Sequence, residues 1–304
     1  MRIPYYIVDV FAENKYGGNQ LAVFIDLENQ LTDAHMQAMT REINFAESSF
    51  IKKQNGDNKF VVRIFTPEHE VPFAGHPSIG SAYVISKFIL KEALPKIILE
   101  LKHADIPISI ADIKNLDDSV ISMQQAQPEF REIFSPDEIS KELKIPLSNI
   151  DLHLPIQEIS TGLPYIIIPL KNLKAIENLN FTYADLQIFL EKRFKYKTNS
   201  ATGHSTSFFF FTSETYDKKN QFNARMRLLE NDRLSEDAAT GSANGCFLAY
   251  LLKHTSEKIV ATVEQGFQMG RKSFLYLNGA VSENKYDIHV GGKTQLVSEG
   301  FWFA

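Results

Sequence analysis

The sequence predicts an α+β protein of two pseudo-symmetric lobes, each a rolled β-sheet around one central apolar helix. Two stretches, one in each half of the chain, carry this prediction. In the first, the small-residue loop 72–80 runs into the apolar segment 81–90, and in the second the loop 236–245 runs into 246–252. Apolar residues on nearly every side are typical of a helix surrounded by protein. Because the order of elements repeats while the residues hardly do, we infer an old duplication.

Length and composition limit the classes of protein to consider. A chain of 304 residues with 44% hydrophobic content can bury substantial cores and is expected to form two domains. The net charge of −5 lacks the basic excess of a nucleic-acid binder. Neither a signal peptide nor an apolar run of the ~18 residues that a membrane span needs is apparent. We therefore expect a soluble cytoplasmic protein that binds neither nucleic acid nor membrane.

The cysteine and histidine content gives no sign of a metal site. Cys246 is the only cysteine, which excludes an internal disulfide and a thiolate-based zinc site. The eight histidines are scattered without the spacing of a helical ligand pair.

The first half begins with two β-rich runs, at 3–11 and 20–25, followed by a helix that Thr32 caps. A turn then leads into a short strand, with Glu47 flanked by small and apolar residues. Because glutamate is seldom buried without a function, Glu47 is a candidate functional residue. The alternative is a solvated turn residue.

Further β-rich runs after the first apolar helix complete one sheet, and a second set follows in the other half. Ser135-Pro136 predicts a helix start, with Glu138 placed to close a capping box. We place the domain boundary just before it, with an N-terminal lobe of residues 1–127, joined by 293–304, and a C-terminal lobe of residues 128–292.

The two helix starts are the candidate site. Backbone amides of Gly75-His76 or of 240–242 could hold an anion while a carboxylate moves a proton on the bound molecule. The side chains nearest these starts are His76 and Asp237, with Glu47 as a third candidate. His76 could instead bond only a loop carbonyl, and Asp237 could be a cap or turn former.

At these residues the chain resembles the PhzF-like phenazine-biosynthesis family. The resemblance spans the chain and rests on seven blocks in the family's order: 18–24, 44–50, 63–67, 72–77, 161–164, 236–243 and 263–266. It implies the diaminopimelate epimerase-like fold, isomerase activity without a cofactor, a small carboxylic-acid substrate and a homodimer. The best-known member isomerises a dihydro-hydroxyanthranilate.

The resemblance also implies roles for individual residues. Glu47 matches the acid/base that shuttles the proton, and His76 and Asp237 match its polar partners. The positions that match substrate-binding residues are Asn19, Gly75, Thr240, Gly241 and Ser242.

The departures from the family pattern lie beside these positions. Gln20 stands where proline is usual and Ala238 interrupts an Asp-Pro pair, which leaves the substrate's identity open. The epimerase relatives use a pair of cysteines at the two helix starts, whereas Cys246 lies within the second helix. This argues against a two-thiol racemase.

The sequence thus predicts a cofactor-independent isomerase acting through Glu47 on a small cyclic or unsaturated carboxylic acid. Two alternatives stay open: a non-catalytic metabolite-binding or interaction protein that retains the fold, and an epimerase of an amino-acid derivative. The presence of an acid at position 47 favours the isomerase, because a binding protein needs only the amides.

Overall fold

The structure is a computed structural model that describes residues 1–199 and 203–304. The chain divides into two compact units: unit 1 comprises Met1–Gln124 and Gly291–Ala304, and unit 2 comprises Gln125–Val290. Among the described residues, no helix is both long enough and apolar enough to cross a membrane.

Unit 1 is mostly β-sheet. Its strands are β1 (Arg2–Val10), β2 (Asn19–Ile25), β3 (Ser48–Gln54), β4 (Lys59–Phe65), β5 (Glu70–Val71), β6 (Lys96–Glu100), β7 (Asp105–Ile110), β8 (Ile121–Gln124) and β18 (Thr294–Phe303). Its helices are α1 (Asp33–Ile43), α2 (Gly75–Val84), a π-helical continuation of α2 (Ile85–Ile89) and a 3₁₀ turn (Leu116–Asp118).

Unit 2 is likewise mostly β-sheet. Its strands are β9 (Glu129–Phe134), β10 (Ile156–Ser160), β11 (Pro164–Pro169), β12 (Ser207–Thr212), β13 (Phe222–Glu230), β14 (Arg233–Asp237), β15 (Lys258–Gln265) and β16 (Ser273–Ser282), and β17 (Lys285–Gly292) ends at its border. Its helices are α3 (Pro136–Glu142), α4 (Leu173–Glu177), α5 (Tyr183–Lys192), α6 (Gly241–His254) and 3₁₀ turns at Leu147–Asn149 and Phe267–Met269.

Strand pairing is the same in both units. In unit 1, β1 pairs antiparallel with β2, β2 parallel with β3, β3 antiparallel with β4, and β4 both antiparallel with β5 and parallel with β6. In unit 2, β10, β11, β12, β13, β14 and β15 pair in that same sequence of directions. The shared topology agrees with the duplication inferred from the sequence.

The predicted fold class is confirmed, because each unit encloses one central helix. Residues 76–84 of α2 are all buried, and α2 packs against β1, β2, β3, β6, β7, β8 and β18. Residues 243–252 of α6 are likewise buried, with β10, β11, β15 and β16 around them. The sheet of unit 1 packs α2 on one face, while Phe24, Phe50 and Met36 belong to the α1 core on the other.

The central helices begin at Gly75 and Gly241, in agreement with the starts expected near His76 and Ser242. The glycine- and serine-rich segments 75–80 and 241–245 form their first turns. Their small residues serve close packing: a Cβ on Gly80 would lie 2.6 Å from Leu21 Cδ2. A helix surrounded by strands therefore carries residues that in isolation favour a loop.

The helix predicted after Ser135 starts at Pro136 as expected, but the predicted capping box is absent. Ser135 is the N-cap residue, yet its side chain makes no cap hydrogen bond. The Glu138 carboxylate instead lies 3.8 Å from the Arg193 guanidinium.

We predict that Gly80→Ala lowers the free energy of unfolding by about 1–3 kcal/mol, because the added methyl group overpacks the contact with Leu21 and Val10. Gly245→Ala is the matched control, since its Cβ meets only the Gln125 side chain, with Cγ at 2.9 Å and Oε1 at 3.0 Å, which has several rotatable bonds. The helix propensity of alanine contributes about 1 kcal/mol in both variants, so their difference reports the overpacking. Chemical denaturation measures both variants, and a Gly80→Ala protein as stable as Gly245→Ala contradicts the packing argument.

Candidate active site

A short hairpin closed by an arginine–glutamate pair precedes each central helix. In unit 1, Arg63 donates from Nε and Nη2 to the two carboxylate oxygens of Glu70 at 2.8 and 2.9 Å. In unit 2, Arg225 donates in the same way to Glu236 at 2.9 and 2.6 Å. Hydrogen bonds from Arg63 lower the pKa of Glu70. These bidentate pairs fix the strands from which the helices start.

The central helices start without a side-chain cap. Thr32 caps α1 and Thr182 caps α5 with their hydroxyls, whereas Ala74 precedes α2 and has no side chain able to do so. Thr240 precedes α6 but makes no cap hydrogen bond either. No side-chain cap therefore covers the first-turn amides of α2 and α6, which lie at the positive end of each helix, where anions bind.

Glu47 and His76 lie beside each other in unit 1. Glu47 immediately precedes β3, and His76 is the second residue of α2. Glu47 Oε2 is 3.5 Å from His76 Nε2, and both atoms are shielded from solvent although 21% of the Glu47 side chain is exposed. The structure thus brings together two of the residues that the sequence predicted, at a distance where the charge of one affects the other.

Asn19 begins β2 at the same edge of the sheet as Glu47. Strands β2 and β3 are parallel, with Ala22 opposite Ser48, so their first residues lie at one end. Gly18 makes the approach to β2 possible: its φ is +60°, and a Cβ there would lie 2.1 Å from the Val10 carbonyl oxygen.

In unit 2, Asp237 and Thr240 are joined by hydrogen bonds. The Thr240 hydroxyl donates to Asp237 Oδ2 at 2.6 Å, which explains why it does not cap α6. Gln265 Nε2 donates to the Thr240 hydroxyl at 3.0 Å and to the Asp237 carbonyl at 2.9 Å. Sequence reasoning did not select Gln265 as a site residue, although it lies within the 263–266 block of the family resemblance.

The remaining predicted residues of unit 2 lie in the first turn of α6. Gly241 is its first residue, and the Ser242 hydroxyl is 2.7 Å from the Tyr165 hydroxyl. Cys246 is one turn further on and fully buried, and burial raises the pKa of its thiol to about 12. A thiol held neutral in this way is a poor proton acceptor, which agrees with the argument against a thiol-based racemase.

The fold and these two helix starts define a class of protein, and comparison with known proteins identifies it. The model of the phenazine biosynthesis-like protein family matches residues 8–300, and the chain belongs to this family.

Similar proteins agree with this assignment. A Pseudomonas aeruginosa relative named trans-2,3-dihydro-3-hydroxyanthranilate isomerase is 28% identical over 97% of this chain and 98% of its own. The crystal structure of a PhzF-family phenazine biosynthesis protein from Bacillus anthracis shares the fold over the whole of both chains, with a TM-score of 0.85 and 24% identity. A probable proline racemase from Agrobacterium radiobacter shares it more distantly, with a TM-score of 0.59 and 11% identity over 98% of this chain and 92% of its own. These comparisons support an isomerase function.

Proposed function

We propose that this chain is a cofactor-independent isomerase that moves a proton on a small cyclic or unsaturated carboxylic acid, with Glu47 as the acid/base. A dihydro-hydroxyanthranilate is the first substrate to test, because the named relative from Pseudomonas aeruginosa acts on one. The observation that carries the proposal is the pair of Glu47 and His76 at the uncapped start of α2.

Glu47 has the chemistry that a proton shuttle needs. Its carboxylate can take a proton from one carbon of the bound acid and return it to another, with no group transferred to the protein. His76, whose Nε2 is 3.5 Å from Glu47 Oε2, is placed to offset charge on the carboxylate in its ionised state. Asn19 and Asp237 keep in this proposal the roles that the family resemblance implies for them: Asn19 binds the substrate, and Asp237 is a polar partner.

The substrate carboxylate is held by backbone amides at the start of a central helix. Such a site binds an ionised oxygen through N–H groups that have no intrahelical acceptor. In α6 the candidates are the amides of Gly241 and Ser242, which Thr240 leaves uncapped because its hydroxyl is bonded to Asp237. In α2 they are those of Gly75 and His76.

We also propose that the chain works as a homodimer in the cytoplasm, on the resemblance to the family alone. A clean monomer in light scattering at micromolar concentration contradicts the dimer.

The carboxylate site predicts that benzoate raises the melting temperature of the protein by mass action, while neutral benzamide does not. Ser242→Pro removes one first-turn N–H at a position where proline is tolerated, and Ser242→Ala removes only the hydroxyl. We expect affinity for benzoate to fall about tenfold in Ser242→Pro and to stay close to that of the native chain in Ser242→Ala. Calorimetry measures both.

If benzoate binds Ser242→Pro as tightly as the native chain, the carboxylate belongs at the start of α2 instead. If no variant responds to benzoate, neither helix start is an anion site.

The acid/base assignment predicts the effect of Glu47→Gln, which keeps the shape of the side chain but cannot carry a proton. With trans-2,3-dihydro-3-hydroxyanthranilate in deuterated buffer, the native chain exchanges or relocates a carbon-bound hydrogen, followed by NMR. We expect the rate in Glu47→Gln to fall by ~10²–10⁴-fold, with the affinity for the acid retained. Glu42→Gln is the matched control, because Glu42 is exposed on α1 of the same unit.

Full activity in Glu47→Gln means that Glu47 is a turn residue and that another acid, such as Asp237, moves the proton. Binding without hydrogen exchange in the native chain favours the non-catalytic binding protein.

A further inference from the structure

We propose that Gln265 is a positioning residue that directs the Thr240 hydroxyl towards Asp237 and away from the amides of α6. This inference rests on the proposed function, because it assigns Gln265 a part in presenting the substrate-binding residues of unit 2. Gln265 touches neither substrate nor reacting atoms in this proposal and acts through Thr240.

Gln265 is held rigidly at the end of β15. Its side chain is fully buried, and its backbone pairs with Ala224 of β13. The next residue, Gly266, has φ +74°, and a Cβ there would lie 2.6 Å from the Ala238 carbonyl oxygen. The chain around Gln265 is therefore packed directly against the segment between Asp237 and Thr240.

Two backbone carbonyls determine which way the Gln265 amide points. A carbonyl oxygen only accepts hydrogen bonds, so the atom of Gln265 that lies 2.9 Å from the Asp237 carbonyl must be Nε2. Asn244 is oriented independently, since its Nδ2 lies 2.9 Å from the Thr240 carbonyl. That Nδ2 also donates to Gln265 Oε1 at 3.0 Å. The two ends of the Gln265 amide are thus fixed by separate acceptors and donors.

The orientation of the amide decides what the Thr240 hydroxyl does. Gln265 Nε2, 3.0 Å away, donates to this hydroxyl, which therefore acts as an acceptor on that side. The single hydrogen of the hydroxyl is left for Asp237 Oδ2 at 2.6 Å. Asp237 is consequently held in one orientation, with Oδ2 accepting from Thr240.

The same hydrogen bonds keep the start of α6 uncapped. Threonine at an N-cap position normally accepts a hydrogen bond from a first-turn amide, as Thr32 and Thr182 do in this chain. Without the donor of Gln265, the Thr240 hydroxyl can rotate to that capping geometry. It would then compete with a substrate carboxylate for the amides of α6 and release Asp237.

The test is a double-mutant cycle between positions 265 and 240. Gln265→Met removes the donor with little change in length, and Thr240→Val removes the hydroxyl with little change in shape. We expect Gln265→Met to lower affinity for 3-hydroxyanthranilate, the aromatic analogue used as the probe, by about tenfold. In the Thr240→Val background the same change at position 265 has a much smaller effect, because the hydroxyl through which it acts is gone.

Gln157→Met is the matched control for losing a buried glutamine. Gln157 is 3% exposed in the same unit, and its Nε2 likewise donates to a backbone carbonyl, that of Arg131, at 3.0 Å. We expect this variant to lose stability without losing affinity. A structural role for Gln265 predicts instead equal losses in both Thr240 backgrounds.

The readouts separate this inference from the proposed function. One possible result is that positions 265 and 240 are coupled in probe binding while the native chain does not turn over the dihydro acid. This result supports the positioning role and rejects the isomerase. Turnover without coupling rejects the positioning role alone. If the native chain binds no probe, both are overturned.

Discussion

The burial of residues 76–84 of α2 and 243–252 of α6 is the constraint on which the rest of the structure depends. A helix surrounded by strands must present small residues wherever the sheet approaches closely, which is the reason for Gly80 beside Leu21. Its sides can hold no solvated polar group, so polar chemistry is confined to its ends. The N-terminal ends follow hairpins whose bidentate pairs, Arg63–Glu70 and Arg225–Glu236, are built alike in both units.

The starts of α2 and α6 differ from those of α1, α4 and α5, which have side-chain caps, although α3 also starts without one. α1 and α5 receive threonine caps that satisfy their first amides, and α2 and α6 do not. In α6 a capping residue is present but is drawn into bonds with Asp237 and Gln265. In α2 the second residue, His76, instead faces Glu47. An uncapped helix start beside an ionisable side chain is suited to anion binding and to proton transfer, the two properties that the proposed isomerase requires.

The apolar character of the central helices predicted their burial and with it the fold class, because few arrangements hide a helix on every side. Their starts were expected near His76 and Ser242 and lie at Gly75 and Gly241, although glycine by itself disfavours a helix. Asp237 and the amides of 240–242 were selected because they lie at the second helix start, and the family resemblance added a role for each. The hydrogen bonds of Asp237 and Thr240 with Gln265 could not be predicted from the sequence. The parallel pairing of β13 with β15 brings Gln265 to the start of α6 from a distant part of the chain.

We propose that the start of a buried, uncapped helix binds the carboxylate of the substrate. Titration of the ¹⁵N-labelled protein with 3-hydroxyanthranilate tests it most directly, because NMR reports each amide separately. We predict that the largest chemical-shift changes fall on first-turn amides, those of Gly75 and His76 or of Gly241 and Ser242. Saturable binding that leaves all four amides unchanged would contradict it.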